Sequence, residues 1–141
     1  MPSPHEWNNF WFNVADTVSH LSKDASNRVG AVVVTPDNKQ CSIGYNGFPA
    51  GIKENTERWE RPEKYEWVIH AEKNAIANCP FRTEGCSIYV TLQPCHICMG
   101  FLLNAGISRI YYAKEYDRLA RPDIWNELAR EFQFVAHQSQ I

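Results

Sequence analysis

His70 and Glu72 stand in one short segment of this chain, and Pro94, Cys95 and Cys98 in another, with residues 73 to 93 between them. One imidazole and two thiolates can make a three-ligand zinc site that keeps its fourth tetrahedral position open for water, and a nearby carboxylate can handle that water's proton. Any fold open to the chain must therefore bring two remote segments to one point. Cys95 and Cys98 are three apart at the expected start of a helix, so their sulfurs share a face, and the helix N-terminus favours thiolates. Two thiolates balance the charge of one zinc ion. His70 and Glu72 are two apart and do not face each other inside a regular helix. Both reach one pocket only if His70 lies at the very edge of its helix.

Taken singly, neither half is specific. A CxxC pair also serves as a redox dithiol or as packed thiols, and a helical histidine beside a glutamate is commonly a solvated surface. Together, in this order and with a proline before the first cysteine, they read as one catalytic zinc. His96 lies between the two cysteines, but a fourth protein ligand would close the site to water, so it is read as a non-ligand. His5, His20 and His137 have no partners at metal spacing.

A length of 141 residues suits one domain spanning 1 to 141. The net charge is −2 and the 14 basic residues are scattered, which argues against gripping a nucleic-acid backbone and for a small substrate. No apolar run approaches the roughly 18 residues of a membrane span, and residues 1 to 13 are too polar for a signal peptide. The expected location is the cytoplasm. Cys41, Cys79 and Cys86 are left over and read as reduced, mostly buried thiols.

Ser3, Pro4 and Glu6 form a capping box ahead of apolar residues at helical spacing, predicting a helix over 4 to 22. Residues 29 to 35 and 39 to 45 predict a hairpin around Pro36, Asp37 and Asn38. Residues 46 to 66 lack periodicity and are read as a functional loop. Helices are expected over 70 to 78, 95 to 106 and 122 to 131, and strands over 87 to 91, 109 to 113 and 132 to 135. The pattern implies an α/β fold, a central mixed sheet of about five strands flanked by helices.

The segments Ser22, Lys23, Asp24, then 29 to 34 (VGAVVV), 44 to 51 (GYNGFPAG), HAEKNAIAN and TLQPCHIC resemble the deoxycytidylate (dCMP) deaminase family over roughly residues 7 to 135. HAE and PCxxC are shared by many zinc-dependent nucleobase deaminases; the SKD and GYNGFPAG segments are what point to dCMP. The resemblance implies a cytidine-deaminase-like three-layer sandwich with zinc between two helix N-termini. It implies hydrolysis of dCMP to dUMP and ammonia, supplying thymidylate synthesis, with Glu72 moving the protons. It also implies that Asn46 contacts sugar and base, although an Asn-Gly turn would explain the same residues. Tyr116 and Arg118 are carried over for the nucleotide and its phosphate, with Arg121 and Lys23 in reserve; each cation could equally be a solvated surface charge.

The resemblance further implies a homo-oligomer, a hexamer in many members, with dCTP and dTTP as effectors. This chain has a short version of the loop after GYNG. Some phage members carry a second, structural zinc in that region, but residues 47 to 69 hold no cysteine or histidine, so only one ion is expected. Trp59, Tyr65 and Trp67 fit a subunit interface, a cover over the base, or local packing under the loop. Other readings stay open: a broader nucleotide deaminase accepting dCTP or 5-modified dCMP, a nucleic-acid deaminase, and a non-catalytic zinc module. Retention of Glu72 speaks against the last.

Overall fold

The run Gly30 to Val34 is buried on both faces, so it sits at the centre of the molecule rather than at an edge. In the computed structural model, which describes residues 1–132 and 134–141, this run is strand β1 (Gly30–Val34). It follows helix α1 (Pro4–Ser19) and pairs antiparallel with both β2 (Cys41–Tyr45) and β3 (Ser87–Leu92). Strands β4 (Arg109–Lys114) and β5 (Phe134–His137) extend the sheet in parallel, giving five strands in the order β2-β1-β3-β4-β5. The mixed sheet is the one expected.

Alternation along β1 builds two cores, because successive side chains point to opposite faces. Val32 and Val34 join Trp11, Phe12 and Ala15 of α1 on one side. Ala31 and Val33 face the other side, with Ala75 of α4 (Ala71–Ala77), Met99 and Leu102 of α5 (His96–Asn104), and Trp125 of α6 (Pro122–Glu131). The result is three layers: α1, sheet, and the group α4, α5 and α6.

The capping box forms as predicted, Ser3 Oγ accepting from the Glu6 N–H at 3.1 Å and Glu6 Oε1 from the Ser3 N–H at 3.0 Å. Helix α1 stops at Ser19, short of the predicted residue 22. Its last amides, those of His20, Leu21 and Ser22, bond three residues back, and Ser22 Oγ donates instead to the Asn46 carbonyl at 2.8 Å. The segment read as a loop contains two one-turn helices, α2 (Thr56–Trp59), capped by Asn55, and α3 (Lys64–Trp67). Helices of four residues leave no periodic signal to read. The last strand falls at Phe134–His137 rather than 132 to 135, and residue 133 of that expectation lies outside the described residues. Of the three spare cysteines, Cys86 is buried and Cys79 half-buried, but Cys41 is exposed at the outer strand β2, where alternate side chains meet solvent. No described helix is long and apolar enough to cross a membrane.

Two glycines set the spacing between helices and sheet. A Cβ at Gly30 would stand 2.0 Å from the Ala15 carbonyl oxygen of α1. A Cβ at Gly44 would stand 2.3 Å from the Ala75 nitrogen of α4, so β2 and α4 touch backbone to backbone. That contact places the helix that begins beside His70. Gly44→Ala should therefore destabilise the protein by about 3 kcal/mol in urea unfolding, the upper range for overpacking. Gly100→Ala, in α5 with open space around it, should instead be neutral or stabilising by up to about 1 kcal/mol.

Candidate active site

His70 is the N-cap of α4, with extended backbone (φ −67°, ψ 152°), and Glu72 lies in the first turn. That break from helical geometry lets two residues so close in sequence turn into one pocket. Cys95 is likewise the N-cap of α5, its sulfur accepting from the Cys98 N–H at 3.4 Å, and Cys98 follows one turn on. Trp125 Nε1 donates to the Pro94 carbonyl at 2.9 Å and fixes where α5 starts.

His70 Nδ1 lies 3.3 Å from Cys98 Sγ and 3.8 Å from Cys95 Sγ, and the three donor atoms fall within 4.8 Å of one another. A tetrahedral zinc with Zn–S of about 2.3 Å and Zn–N of about 2.05 Å holds its nitrogen and sulfur ligands about 3.6 Å apart. The observed distances straddle that value, so the donor set fits zinc in both geometry and chemistry. His96 is outside the set; its Nδ1 is buried and has no hydrogen-bond partner among the described residues.

The electrostatics suit a metal site. The hydrogen bond with Cys98, helped by His70, pulls the Cys95 thiol down to about 3, whereas the bond to Cys95 and burial push Cys98 up. A cation binding both sulfurs would favour the thiolate form of each. The bond with Cys95 raises His70, against the effect of burial. Glu72 is 4% exposed, and burial raises its pKa, with His70 and Cys98 acting in the opposite direction. A carboxyl held above its ordinary range is suited to carrying a proton near neutral pH.

His70, Glu72 and Cys95 line one cavity with Asn46, Tyr116 and Lys64, beneath apolar Val29, Val68, Leu92 and Pro94. Asn46 is buried and largely engaged: Oδ1 accepts from the Val29 N–H at 2.8 Å and Nδ2 donates to the Asn27 carbonyl at 2.8 Å. One amide hydrogen and one lone pair remain for a ligand. The Tyr116 N–H is held by Gln93 Oε1 at 3.0 Å.

The predicted cations are not brought into this cavity. Lys23 is paired with Glu54 at 2.8 Å with its side chain 73% exposed, Arg121 is paired with Asp123 at 2.9 Å, and Arg118 is exposed. Two of the aromatics pack locally, Trp59 stacking on Phe48 at 4.3 Å and Trp67 lying under Arg58 at 4.1 Å, whereas Tyr65 lines the cavity.

Sequence reasoning missed Lys64, a buried lysine in the cavity wall. Its Nζ is 3.1 and 3.2 Å from the two oxygens of Asp24 and 2.8 Å from Ser26 Oγ. Burial acts to raise the Asp24 carboxyl, but the Asn27 and Ser26 N–H groups and Lys64 outweigh it and hold the carboxyl below its usual range. No periodicity marks such a pair, whose members are 40 residues apart.

The family model for the cytidine and deoxycytidylate deaminase zinc-binding region matches residues 5–114. A probable deoxycytidylate deaminase of Caenorhabditis elegans is 40% identical over 115 residues, covering 78% of this chain and 58% of that protein's length. An uncharacterized deaminase from the luxG 3′ region of Aliivibrio fischeri is 36% identical over 137 residues, covering 96% of this chain and 90% of that one. The solved structure of cyanophage S-TIM5 dCMP deaminase in complex with dCMP and dUMP superposes with a TM-score of 0.77 at 27% identity, covering 97% and 99% of the two chains.

Two measurements check the donor set. Cys98→Ser should lower zinc content and thermal stability together, because metal binding couples to folding, and full metal loading in that variant would overturn the assignment. Zinc loading of the unaltered protein should weaken as pH falls from 7.5 to 5, since protons compete for thiolate and imidazole. With its HAE and PCxxC segments folded into one donor set, and the family's match running from residue 5 to residue 114, this chain belongs to the cytidine and deoxycytidylate deaminase zinc-binding family.

Proposed function

We propose that the protein is a zinc-dependent hydrolase that converts dCMP to dUMP and ammonia, with residues 1 to 141 acting as one catalytic domain. The observation that carries the reading is the convergence of His70, Cys95 and Cys98 beside buried Glu72 in one cavity. The deoxycytidylate relatives, and the dCMP and dUMP held by the cyanophage enzyme, support the choice of substrate.

His70, Cys95 and Cys98 would hold the zinc, which when bound supplies the Lewis acidity that makes water nucleophilic at neutral pH. Glu72 takes a proton from that water and delivers it to the ring nitrogen beside the amine-bearing carbon as the new C–O bond forms. The same carboxylate then moves a second proton from oxygen to the amine, the C–N bond breaks, and ammonia leaves as the ring carbonyl forms. Glu72 ends each cycle as it began, and water and dCMP have become dUMP and ammonia. Asn46 offers its remaining donor and acceptor to sugar and base, and the apolar wall around Val29 and Leu92 excludes bulk water. Tyr116 borders the nucleotide; Arg118 attracts the anion from outside the cavity, while the charges of Lys23 and Arg121, carried over with it, are offset by Glu54 and Asp123.

The family resemblance supports a homo-oligomer, hexameric in form, with dCTP and dTTP as effectors, and a cytoplasmic role in supplying dUMP for thymidylate synthesis. Scattered charge at a net −2 supports a free nucleotide over a nucleic acid.

Ammonia release from dCMP, dCTP, deoxycytidine, CMP and 5-substituted dCMP by zinc-loaded protein tests the reading. Turnover of dCMP is expected, and its absence overturns the proposal; turnover of dCTP as well would indicate the broader nucleotide deaminase. Glu72→Ala should lower kcat by about 10²- to 10⁴-fold while fold and zinc content persist, and retained activity would remove Glu72 from its proton-carrying role.

A further inference from the structure

We propose that Arg61, anchored on Ser26 and backed by the buried Lys64–Asp24 pair, binds the 5′-phosphate of the nucleotide; the inference rests on the nucleotide reading above. A phosphomonoester carries close to two negative charges at neutral pH and needs a cation near the cavity. Among the described residues, Lys64 is the only lysine or arginine lining the cavity that holds the metal donor set. Its charge is balanced by Asp24, with both side chains at most 6% exposed.

Lys64 nevertheless organises a second cation. Its Nζ donates to Ser26 Oγ at 2.8 Å, and Arg61 Nη2 donates to the same oxygen at 2.8 Å. The two cationic groups are therefore no more than two hydrogen-bond lengths apart. Ser26 Oγ itself donates to Asp24 Oδ1 at 3.0 Å, so the hydroxyl is fixed from three sides. Ser26 also faces a second cavity that shares Asn27, Val29 and Leu92 with the first. Asp24 and Lys64 line the first cavity and Ser26 the second, and Arg61 is held to this junction through Ser26.

Arg61 has no acidic partner among the described residues, in contrast to Lys23 with Glu54 and Arg121 with Asp123. One guanidinium nitrogen is tied to Ser26, and the remaining N–H groups stay available for the paired hydrogen bonds that planar guanidinium makes to phosphate. Anchoring on Ser26 removes part of the entropy cost of ordering a long, exposed side chain. Arg118 is exposed too, but among the described residues it makes no hydrogen bond or ion pair that would hold it at the cavity.

Binding of dUMP and of deoxyuridine to zinc-loaded protein, measured by calorimetry alongside turnover of dCMP, decides the matter without depending on chemistry at the metal. The unaltered protein should prefer dUMP, and Arg61→Ala should lose about 10- to 100-fold of that preference, as expected for a hydrogen-bonded charge. Arg61→Lys should restore part of it, and Arg82→Ala, which removes an exposed cation outside the cavity, should leave it intact. Arg61 is exposed, so Arg61→Ala should fold normally. In turnover the loss should appear in KM for dCMP, with kcat and zinc content unchanged. An undiminished preference in Arg61→Ala, or none in the unaltered protein, overturns the phosphate site even where dCMP is deaminated. If dCMP is not turned over, the proposed reaction fails, while the dUMP and deoxyuridine affinities still decide whether Arg61 reads the phosphate.

Discussion

Two helices begin at the same point in space, one at His70 and one at Cys95, and the remaining elements are arranged to hold them there. His70 and Cys95 are N-caps, where the backbone leaves helical geometry and can aim a side chain along the axis rather than around it, and Cys98 follows one turn into α5. The starts are fixed from behind by ordinary packing: Gly44 lets α4 lie directly on β2, and Trp125 anchors the Pro94 carbonyl ahead of α5. Ala75, Met99 and Leu102 fill one core beneath them. The donors are thus ordered by the sheet and its helices, so that an ion meets a set already formed and little further ordering is required of it.

Burial serves two different purposes around that point. At Glu72 burial raises a carboxyl that makes no ion pair among the described residues, and a carboxyl so raised suits the proton-carrying role proposed for it. At Asp24 a buried carboxyl is held below its usual range by the Asn27 and Ser26 N–H groups and by Lys64, and stays charged. The first environment suits the transfer proposed for Glu72, and the second holds a charge in place. Both face one cavity, and the segment from residue 22 to 29 that carries Asp24 is also stitched to Asn46. The wall expected to face the sugar and the wall that holds the charged pair are therefore one connected network, in which a change at either end would be felt at the other.

Elements whose residues carry their own local code are legible in the sequence. The Ser3–Glu6 capping box, the β-branched run of β1 and the proline ahead of Cys95 each specify a conformation within a few residues, and each forms where expected. The one-turn helices α2 and α3 are not legible, being too short for periodicity, and their stability comes from contacts such as Phe48 on Trp59 and Lys64 on Asp24. The cations mislead for a related reason. Lys23 and Arg121 have suitable chemistry, yet Glu54 and Asp123 neutralise them at the surface, while Lys64, on a segment without signal, is the one drawn into the wall.

Residue type and local spacing are enough to specify the donor chemistry, the alternation that puts Val32 and Val34 on one face and Ala31 and Val33 on the other, and the order along the chain of the strands and of the α-helices longer than one turn. Each of these is set within a turn or a strand, so the sequence records it directly. Three other features arise only when the chain is folded: Nδ1 and two sulfurs come within 4.8 Å, Glu72 is buried beside them, and Asp24, Ser26, Arg61 and Lys64 converge at the edge of the cavity. Those are distances between segments tens of residues apart, set by how the helices dock on the sheet, and no local pattern records them.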